Sequence, residues 1–123
     1  MAGKILVVED DESMRELLRL HLASAGYDVD VAEDAIAAGY AVLKAAPQLI
    51  ICDVSMPHMD GFELVAALRA DKALPRVPVI FLTSMSDGDD RARELGPSEY
   101  LEKPVRLEEL LAAVWRHLPA KGS

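Results

Sequence analysis

Asp53 stands at the end of a short apolar run, within the segment IICDVSMPHMDG of residues 50–61. A buried charge is costly unless a partner compensates for it, so a carboxylate at the end of a buried strand is a candidate for chemistry. Other polar residues also follow apolar runs. They are Glu9, Asp10 and Asp11 near the N-terminus, Thr83 and Ser84 in the second half, and Lys103 near the C-terminus.

These residue types suit one chemistry in particular. Two or three carboxylates in one small site repel one another, so a cation is expected between them, and oxygen ligands favour Mg²⁺ or Ca²⁺. An aspartate can also attack phosphorus and form an aspartyl phosphate. Phosphoryl oxygens would then need the metal, a hydroxyl donor and a fixed positive charge, which Thr83 and Lys103 could provide. The set predicts a phosphoryl acceptor that uses Mg²⁺.

Each of these residues also has an ordinary structural interpretation. Asp10 and Asp11 suit the first turn of a helix, where acidic side chains are favoured. Asp53 could begin an Asx-turn toward Pro57, and Lys103 could be a solvated surface residue. The chemical interpretation therefore depends on whether the fold brings these side chains together.

Short apolar runs predict the strands that position these residues. Residues 5–8, 49–52 and 79–82 are apolar on both alternate faces, as expected of central strands covered by helices on both sides. Residues 28–31 alternate polar and apolar side chains, which is typical of an edge strand. Residues 100–102 form a short mixed segment that predicts the other edge.

Apolar residues at helical spacing predict the helices between these strands. The first begins near Met14 with Ser13 and Glu16 as a capping box, and it ends at Gly26. Residues 62–70 and 107–118 predict two more, and residues 89–95 a short one. The second predicted helix has an apolar stripe that consists of Ile36, Ala37, Tyr40, Val42 and Leu43.

Strands and helices alternate along the chain, which predicts an α/β fold. We expect a single doubly wound, five-stranded parallel sheet in the order 2-1-3-4-5, with five helices of which the fourth is short or mobile. In such a sheet the carboxyl ends of the strands meet at one edge, near the point where the strand order reverses. The candidate residues should converge there.

Composition limits the class of protein. The 123 residues suit one domain, which we assign to residues 1–118 with a C-terminal tail of 119–123. The net charge of −8, from 21 acidic and 13 basic residues, argues against nucleic-acid binding and against anionic membranes. Cys52 has no second cysteine to pair with, and no signal peptide or membrane-spanning run is evident, so we expect a cytoplasmic location.

Four motifs together resemble the signatures of the response regulator receiver domain. They are ILVVEDDESMR, DVSMPHMDGFEL, VIFLTS and YLEKP, in this order over nearly the whole chain. The resemblance implies a flavodoxin-like fold, and it implies that Asp53 accepts a phosphoryl group from a phosphohistidine. It also implies the ligands of Mg²⁺, which would be Glu9, Asp10, Asp53 and the backbone carbonyl of Ser55.

The same resemblance implies a conformational switch. Thr83 would move to the phosphoryl group, Lys103 would pair with it, and the ring of Tyr100 would turn inward. The Lys103–Pro104 bond would be cis. The segment 84–99 is shorter than in most receivers, and Pro97 lacks a backbone donor, which is why we expect the fourth helix to be short or mobile.

The implied function is a two-component signalling switch rather than an enzyme, apart from Mg²⁺-assisted self-phosphorylation and self-dephosphorylation. Its partners would be a sensor histidine kinase or a histidine phosphotransfer protein, and a downstream target or output domain. A dimer that forms on phosphorylation is a further expected state. Whether the domain stands alone or belongs to a longer regulator stays open.

Two rival functions fit the sequence less well than the receiver does. A phosphatase of the haloacid dehalogenase type has a second aspartate two residues after its nucleophile, and Ser55 occupies that position here. A nucleotide- or flavin-binding domain would have a glycine-rich loop after the first strand, where this chain has Glu9, Asp10 and Asp11. Both rivals are therefore disfavoured.

Overall fold

Five parallel strands form one sheet in the order β2-β1-β3-β4-β5. This computed structural model describes residues 3–54, 61–71, 76–83 and 98–118. The strands are β1 (Lys4–Val8), β2 (Asp28–Ala32), β3 (Leu49–Asp53), β4 (Val79–Thr83) and β5 (Ser98–Glu102). The predicted strand order is confirmed, with β2 and β5 at the edges.

Four helices lie in the described ranges: α1 (Glu12–Ser24), α2 (Ala35–Lys44), α3 (Gly61–Ala70) and α4 (Leu107–His117). The predicted capping box of α1 is wrong. The cap is Asp11, whose side chain accepts hydrogen bonds from the backbone of Ser13 and Met14, because an aspartate caps a helix as well as a serine does. The helix ends before Gly26 as predicted, and Gly26 has a φ of +100° that favours glycine.

The hydrophobic core lies on both faces of the sheet. On one side α2 and α3 pack against alternate residues of the central strands, such as Val8 and Cys52. On the other side α1 and α4 pack against the residues between them, such as Val7 and Ile51. The central strands are apolar on both faces because helices cover both, as the sequence predicted.

The predicted second helix is confirmed, but most of the apolar stripe that predicted it faces solvent. Ala38 and Val42 are buried, but Ile36, Tyr40 and Leu43 are 73%, 72% and 71% exposed. Residues 35–43 contain no charged side chain, so periodicity alone could not distinguish the core face from the solvent face. The packing places the smaller side chains against the sheet and leaves the larger ones outside.

Several expectations fall on residues that the structure does not describe. They are the short helix within 89–95, the effect of Pro97, and the tail of residues 119–123. The division into a domain of 1–118 and a tail therefore stays a prediction. Within the described ranges, every helix is too short or too polar to span a membrane.

Candidate functional site

Two buried carboxylates lie side by side at the carboxyl edge of the sheet. Strand β3 runs between β1 and β4, with Cys52 in register with Val8 and Asp53 in register with Leu82. Glu9 follows Val8 directly and therefore lies next to Asp53. Only 2% of Glu9 and 3% of Asp53 are exposed. The strand pairing alone thus brings together two acidic residues that are 44 positions apart.

Lys103 places a positive charge against this pair. Its Nζ atom donates a hydrogen bond to Asp53 Oδ1 at 3.0 Å and lies 3.7 Å from Glu9 Oε1. Burial acts to lower the pKa of Lys103, but the hydrogen bond to Asp53 and the neighbouring acidic charges outweigh it and raise that pKa. The backbone N–H of Lys103 donates to the Thr83 carbonyl at 2.6 Å, and the Lys103–Pro104 bond is cis as expected.

Glu9 is the residue whose electrostatic environment is least satisfied. Its Oε2 atom accepts a hydrogen bond from the Asp11 backbone at 3.2 Å, whereas its buried Oε1 atom has no hydrogen-bond partner among the described residues. Burial and the adjacent Asp53 carboxyl raise the pKa of Glu9 to about 7, against smaller opposing effects of the Asp11 backbone hydrogen bond and of Lys103. The single lysine does not compensate for both carboxylates.

Asp10 completes an acidic cluster that suits a divalent cation. It is exposed, and carboxylate oxygens of Glu9, Asp10 and Asp53 lie within 4.8 Å of one another. Hard cations such as Mg²⁺ prefer an all-oxygen donor set, and here one buried oxygen, Glu9 Oε1, has no hydrogen-bond partner among the described residues. The residues present therefore fit the predicted metal. Ser55, the fourth predicted ligand, lies outside the described residues.

Thr83 and Tyr100 lie together on the opposite face from Asp53. Strand alternation places Thr83 on the same side as Phe81, which packs in the core under α2 and α3. Tyr100 is in register with Phe81 and is partly buried against the same core. Asp53 follows Ile51 on the side of α1 and α4. Thr83 is buried at the end of β4, one residue beyond the partner of Asp53.

Two residues support the site through contacts that the sequence did not predict. Arg15 donates from Nη1 to the Glu9 carbonyl at 2.9 Å, which holds the turn that presents Glu9 and Asp10. Gly61 begins α3 directly against the end of β3, and its N–H donates to the Val54 carbonyl at 2.9 Å. A side-chain Cβ at Gly61 would lie 2.5 Å from the Asp53 carbonyl oxygen. In the sequence Gly61 directly follows Asp60, and a glycine at such a position indicates that the backbone comes close to another segment.

Substitution of Gly61 by alanine is expected to destabilise the protein by about 1–3 kcal/mol, because the new methyl group must displace the backbone of Asp53. Gly39→Ala is the matched control, since a Cβ at Gly39 would meet no atom within 4 Å. We expect that helix-interior change to stabilise the protein by about 0.5–1 kcal/mol. Urea unfolding at low protein concentration measures both, and equal effects of the two changes would contradict the close contact at Gly61.

Comparison with known proteins identifies the family. The family model described as "Response regulator receiver domain" matches residues 5–115. The chain is 35% identical over 113 residues to the DNA-binding dual master transcriptional regulator RpaA of Synechocystis, which covers 90% of this chain and 47% of RpaA. It is 41% identical over 113 residues to the transcriptional regulatory protein HprR of Escherichia coli, covering 90% of this chain and 49% of HprR. The chain spans about half the length of these curated relatives.

Solved structures agree with the sequence comparison. Chemotaxis response regulator CheY4 of Vibrio cholerae superposes with a TM-score of 0.88 at 34% identity, covering 96% of this chain and all of CheY4. The response regulator TrrA of Thermotoga maritima, solved in complex with Mg²⁺-BeF, has a TM-score of 0.83 at 31% identity, covering 94% of this chain and 99% of TrrA.

Proposed function

Because the chain belongs to the response regulator receiver domain family, we propose that Asp53 is its phosphoryl acceptor and that a phosphohistidine is the donor. The family acts in two-component signalling, and its members receive phosphoryl groups. The observation that carries the assignment to Asp53 is its position, buried at the strand end and hydrogen-bonded to Lys103 at 3.0 Å beside Glu9 and Asp10. The haloacid dehalogenase alternative receives no support, since the receiver model spans nearly the whole described chain.

In the proposed reaction a carboxylate oxygen of Asp53 bonds to phosphorus. The phosphorus–nitrogen bond of the phosphohistidine breaks, and its electron pair returns to the imidazole nitrogen of the donor. Lys103 orients Asp53 before transfer, and its ammonium group is close enough to pair with a phosphoryl oxygen afterwards. Self-phosphorylation from small donors and self-dephosphorylation by water are part of the same proposal.

The proposed metal ligands are Glu9, Asp10, Asp53 and the backbone carbonyl of Ser55. The buried Oε1 atom of Glu9, which accepts no hydrogen bond from the described residues, and the close spacing of the carboxylates support this set. When bound, Mg²⁺ would supply positive charge that offsets the charge of the phosphoryl oxygens. Glu9 and Asp10 are held in that position by the hydrogen bond from the Arg15 side chain to the Glu9 carbonyl and by the helix cap at Asp11.

The proposed switch connects the two faces of the sheet at Thr83. Before phosphorylation its side chain lies on the face of the sheet that Phe81 and Tyr100 occupy, whereas Asp53 lies on the other face. To reach a phosphoryl group, the Thr83 hydroxyl must turn over the strand end and vacate space beside Tyr100. We propose that the Tyr100 ring fills that space, which changes the surface around β5. That surface would be read by an output domain or a partner, or would support a phosphorylation-dependent dimer.

Incubation with acetyl phosphate and Mg²⁺ tests this function on the wild-type protein. We expect one added phosphoryl group per chain by intact-mass spectrometry, and loss of the label on treatment with hydroxylamine, which cleaves acyl phosphates. Omitting Mg²⁺ or adding EDTA should prevent the labelling. Labelling that resists hydroxylamine, or that proceeds equally in EDTA, would contradict the proposal.

A cytoplasmic location is part of the same proposal, since phosphohistidine donors are kinase domains of that compartment.

An apolar groove lies beside the site, and we propose it as the docking surface for the protein donor. It lies between α1 and α4, has a volume of about 80 Å³, and includes Lys103 itself in its lining. Leu17 and Leu107 lie on its rim, 49% and 38% exposed. A donor that delivers a phosphohistidine to Asp53 must cover the surface around Lys103. We propose that a helix of the sensor kinase or phosphotransfer protein packs over this groove and inserts an apolar side chain into it.

Leu17→Glu is expected to slow phosphotransfer from the protein donor by about tenfold or more, because it places a charge in the groove. Labelling by acetyl phosphate should be unchanged, since a small donor does not need that surface. Leu20→Glu is the control, because Leu20 is similarly exposed on α1 but does not line the groove. Quench-flow or gel assays with radiolabelled donor measure the rates. Equal slowing by both variants would contradict docking in this groove.

A further inference from the structure

One arginine side chain folds back onto the acidic turn that follows β1. This turn begins a run of four consecutive acidic residues, which are Glu9, Asp10, Asp11 and Glu12. Like charges so close together repel one another, so the turn needs contacts that hold its shape. The Nη1 atom of Arg15 donates a hydrogen bond to the Glu9 carbonyl at 2.9 Å. This hydrogen bond is to the backbone of Glu9 rather than to its carboxylate.

The Glu9 carbonyl lies where β2 no longer supplies a donor. The Glu9 N–H still donates to the Ala32 carbonyl at 3.0 Å, as in a parallel ladder. The carbonyl of the same residue points toward the same neighbouring strand, but β2 ends at Ala32. Arg15 therefore takes the place of the N–H group that a longer β2 would have provided. Because its donor is charged, this hydrogen bond is about twice as strong as one between neutral groups.

Two cationic side chains thus hold the acidic turn in different ways. Lys103 contacts carboxylate oxygens of Asp53 and Glu9, whereas Arg15 contacts the backbone. The carbonyl that Arg15 holds belongs to the planar peptide that joins Glu9 to Asp10. Fixing this peptide fixes the directions in which both side chains leave the backbone. Arg15 therefore acts on the position of two carboxylates without contacting either of them through the hydrogen bond.

We propose that Arg15 is a positioning residue for the metal ligands, an inference that rests on the Mg²⁺ site of the proposed function. Carboxylate oxygens of Glu9, Asp10 and Asp53 lie within 4.8 Å of one another. Without the arginine, repulsion would move the exposed Asp10 away from the two buried carboxylates. Part of the binding free energy would then be used to restore the spacing, so Mg²⁺ would bind less tightly.

The charge of Arg15 and its hydrogen bond affect Mg²⁺ binding in opposite directions. A positive charge near the site repels a cation, so removing the charge alone would tighten Mg²⁺ binding. Removing the hydrogen bond releases the peptide between Glu9 and Asp10, and this weakens Mg²⁺ binding. The sign of the change in affinity therefore distinguishes a positioning residue from a nearby charge.

Titration of Mg²⁺ into isotope-labelled protein, followed by amide chemical shifts in NMR spectra, tests the proposal. Arg15→Met keeps an unbranched side chain but lacks the guanidinium, and we expect it to raise the Kd for Mg²⁺ about tenfold. Arg19→Met is the matched control, because it makes the same change one turn further along α1, where the arginine pairs with Glu16. We expect the control to bind Mg²⁺ no more weakly than the wild type. Arg15→Ala serves as a second variant, and the spectra verify that each protein is folded.

The titrations separate this role from the metal site on which it rests. If Mg²⁺ binds the wild type, unchanged or tighter binding by both Arg15 variants would overturn the role and leave the metal site intact. Equal weakening by Arg19→Met would also overturn it, since the effect would then be general to α1. A wild type whose spectra do not respond to Mg²⁺ would overturn the proposed ligands and this role with them. Weaker binding that is confined to the Arg15 variants supports the proposal.

Discussion

Asp53→Asn is expected to reduce phosphorylation by acetyl phosphate to no more than about 1% of the wild-type level, because an amide is not a competent nucleophile toward phosphorus. Asparagine keeps the shape of aspartate, and its carbonyl oxygen can still accept the hydrogen bond that Lys103 gives Asp53 at 3.0 Å. The change also relieves repulsion with Glu9 while weakening the ion pair with Lys103. The variant should therefore fold, and the loss should be chemical.

Intact-mass spectrometry measures the phosphorylation of the variant, and thermal unfolding verifies that it is folded. Asp34→Asn is the control, because Asp34 caps α2 by accepting a hydrogen bond from the Ala37 backbone and asparagine caps equally well. We expect the control to label like the wild type. Full labelling of Asp53→Asn would show that another residue accepts the phosphoryl group, and peptide mapping would locate it.

Glu9→Gln is expected to increase the free energy of unfolding by about 2–3 kcal/mol in EDTA at about pH 8. Burial and the Asp53 carboxyl raise the pKa of Glu9 from 4.5 to about 7, so the folded state retains a proton that the unfolded chain releases. The contribution of this group to stability is therefore complete below about pH 4.5 and is lost as the pH rises through 7. Glutamine imitates the neutral form at every pH.

The same variant should lose the response to Mg²⁺. Saturating Mg²⁺ should raise the melting temperature of the wild type at about pH 8, because the ion binds the folded site and not the unfolded chain. The neutral amide of Glu9→Gln is a weaker ligand than a carboxylate, so we expect little or no shift. Urea unfolding in EDTA and in Mg²⁺, at about pH 5 and about pH 8, measures the free energy of unfolding of the wild type and of the variant. A variant that is no more stable than the wild type in EDTA at the higher pH would contradict the unfavourable burial of the charged Glu9 beside Asp53.

Glu99→Gln is a control that we expect to change the free energy of unfolding in the opposite direction. Burial acts to raise the pKa of Glu99, but hydrogen bonds from Arg116 and His117 outweigh it and lower that pKa. Its stabilising contribution is present above about pH 4.5 and is lost as the pH falls. The substitution should therefore destabilise the protein at about pH 8, by less than about 1 kcal/mol because the pair is partly exposed. Stabilisation by both variants would indicate a general effect of removing negative charge.

Much of the fold could be predicted because the local patterns and the tertiary contacts agree. The runs 5–8, 49–52 and 79–82 are apolar on both faces, and only a central parallel strand buries both faces. Strand order then brings Glu9, Asp53 and Lys103 to one edge, where the structure has them in contact. For Thr83 and Tyr100 the pattern predicted the elements, while their placement on the opposite face from Asp53 came from the register.

Where sequence reasoning failed, the local signal was equally compatible with two arrangements. Ser13 with Glu16 and Asp11 were both acceptable caps for α1, and the folded chain uses Asp11. The residues of α2 are apolar on every side, so no periodicity could show that Ile36, Tyr40 and Leu43 face solvent. In the folded chain the smaller side chains Ala38 and Val42 fit between α2 and the sheet, so the larger side chains of the helix lie on its outer side.

By itself, then, the sequence determined the elements, their order and the residue types at the strand ends, because these depend on hydrophobic periodicity and on the chain direction of a parallel sheet. Only the tertiary structure decided how deeply Glu9 is buried, that Gly61 must lack a side chain beside Asp53, and which face of α2 remains exposed. These properties depend on distances between segments that are far apart in the chain. The local sequence pattern contains no information about such distances, whereas the packing of the folded chain sets them.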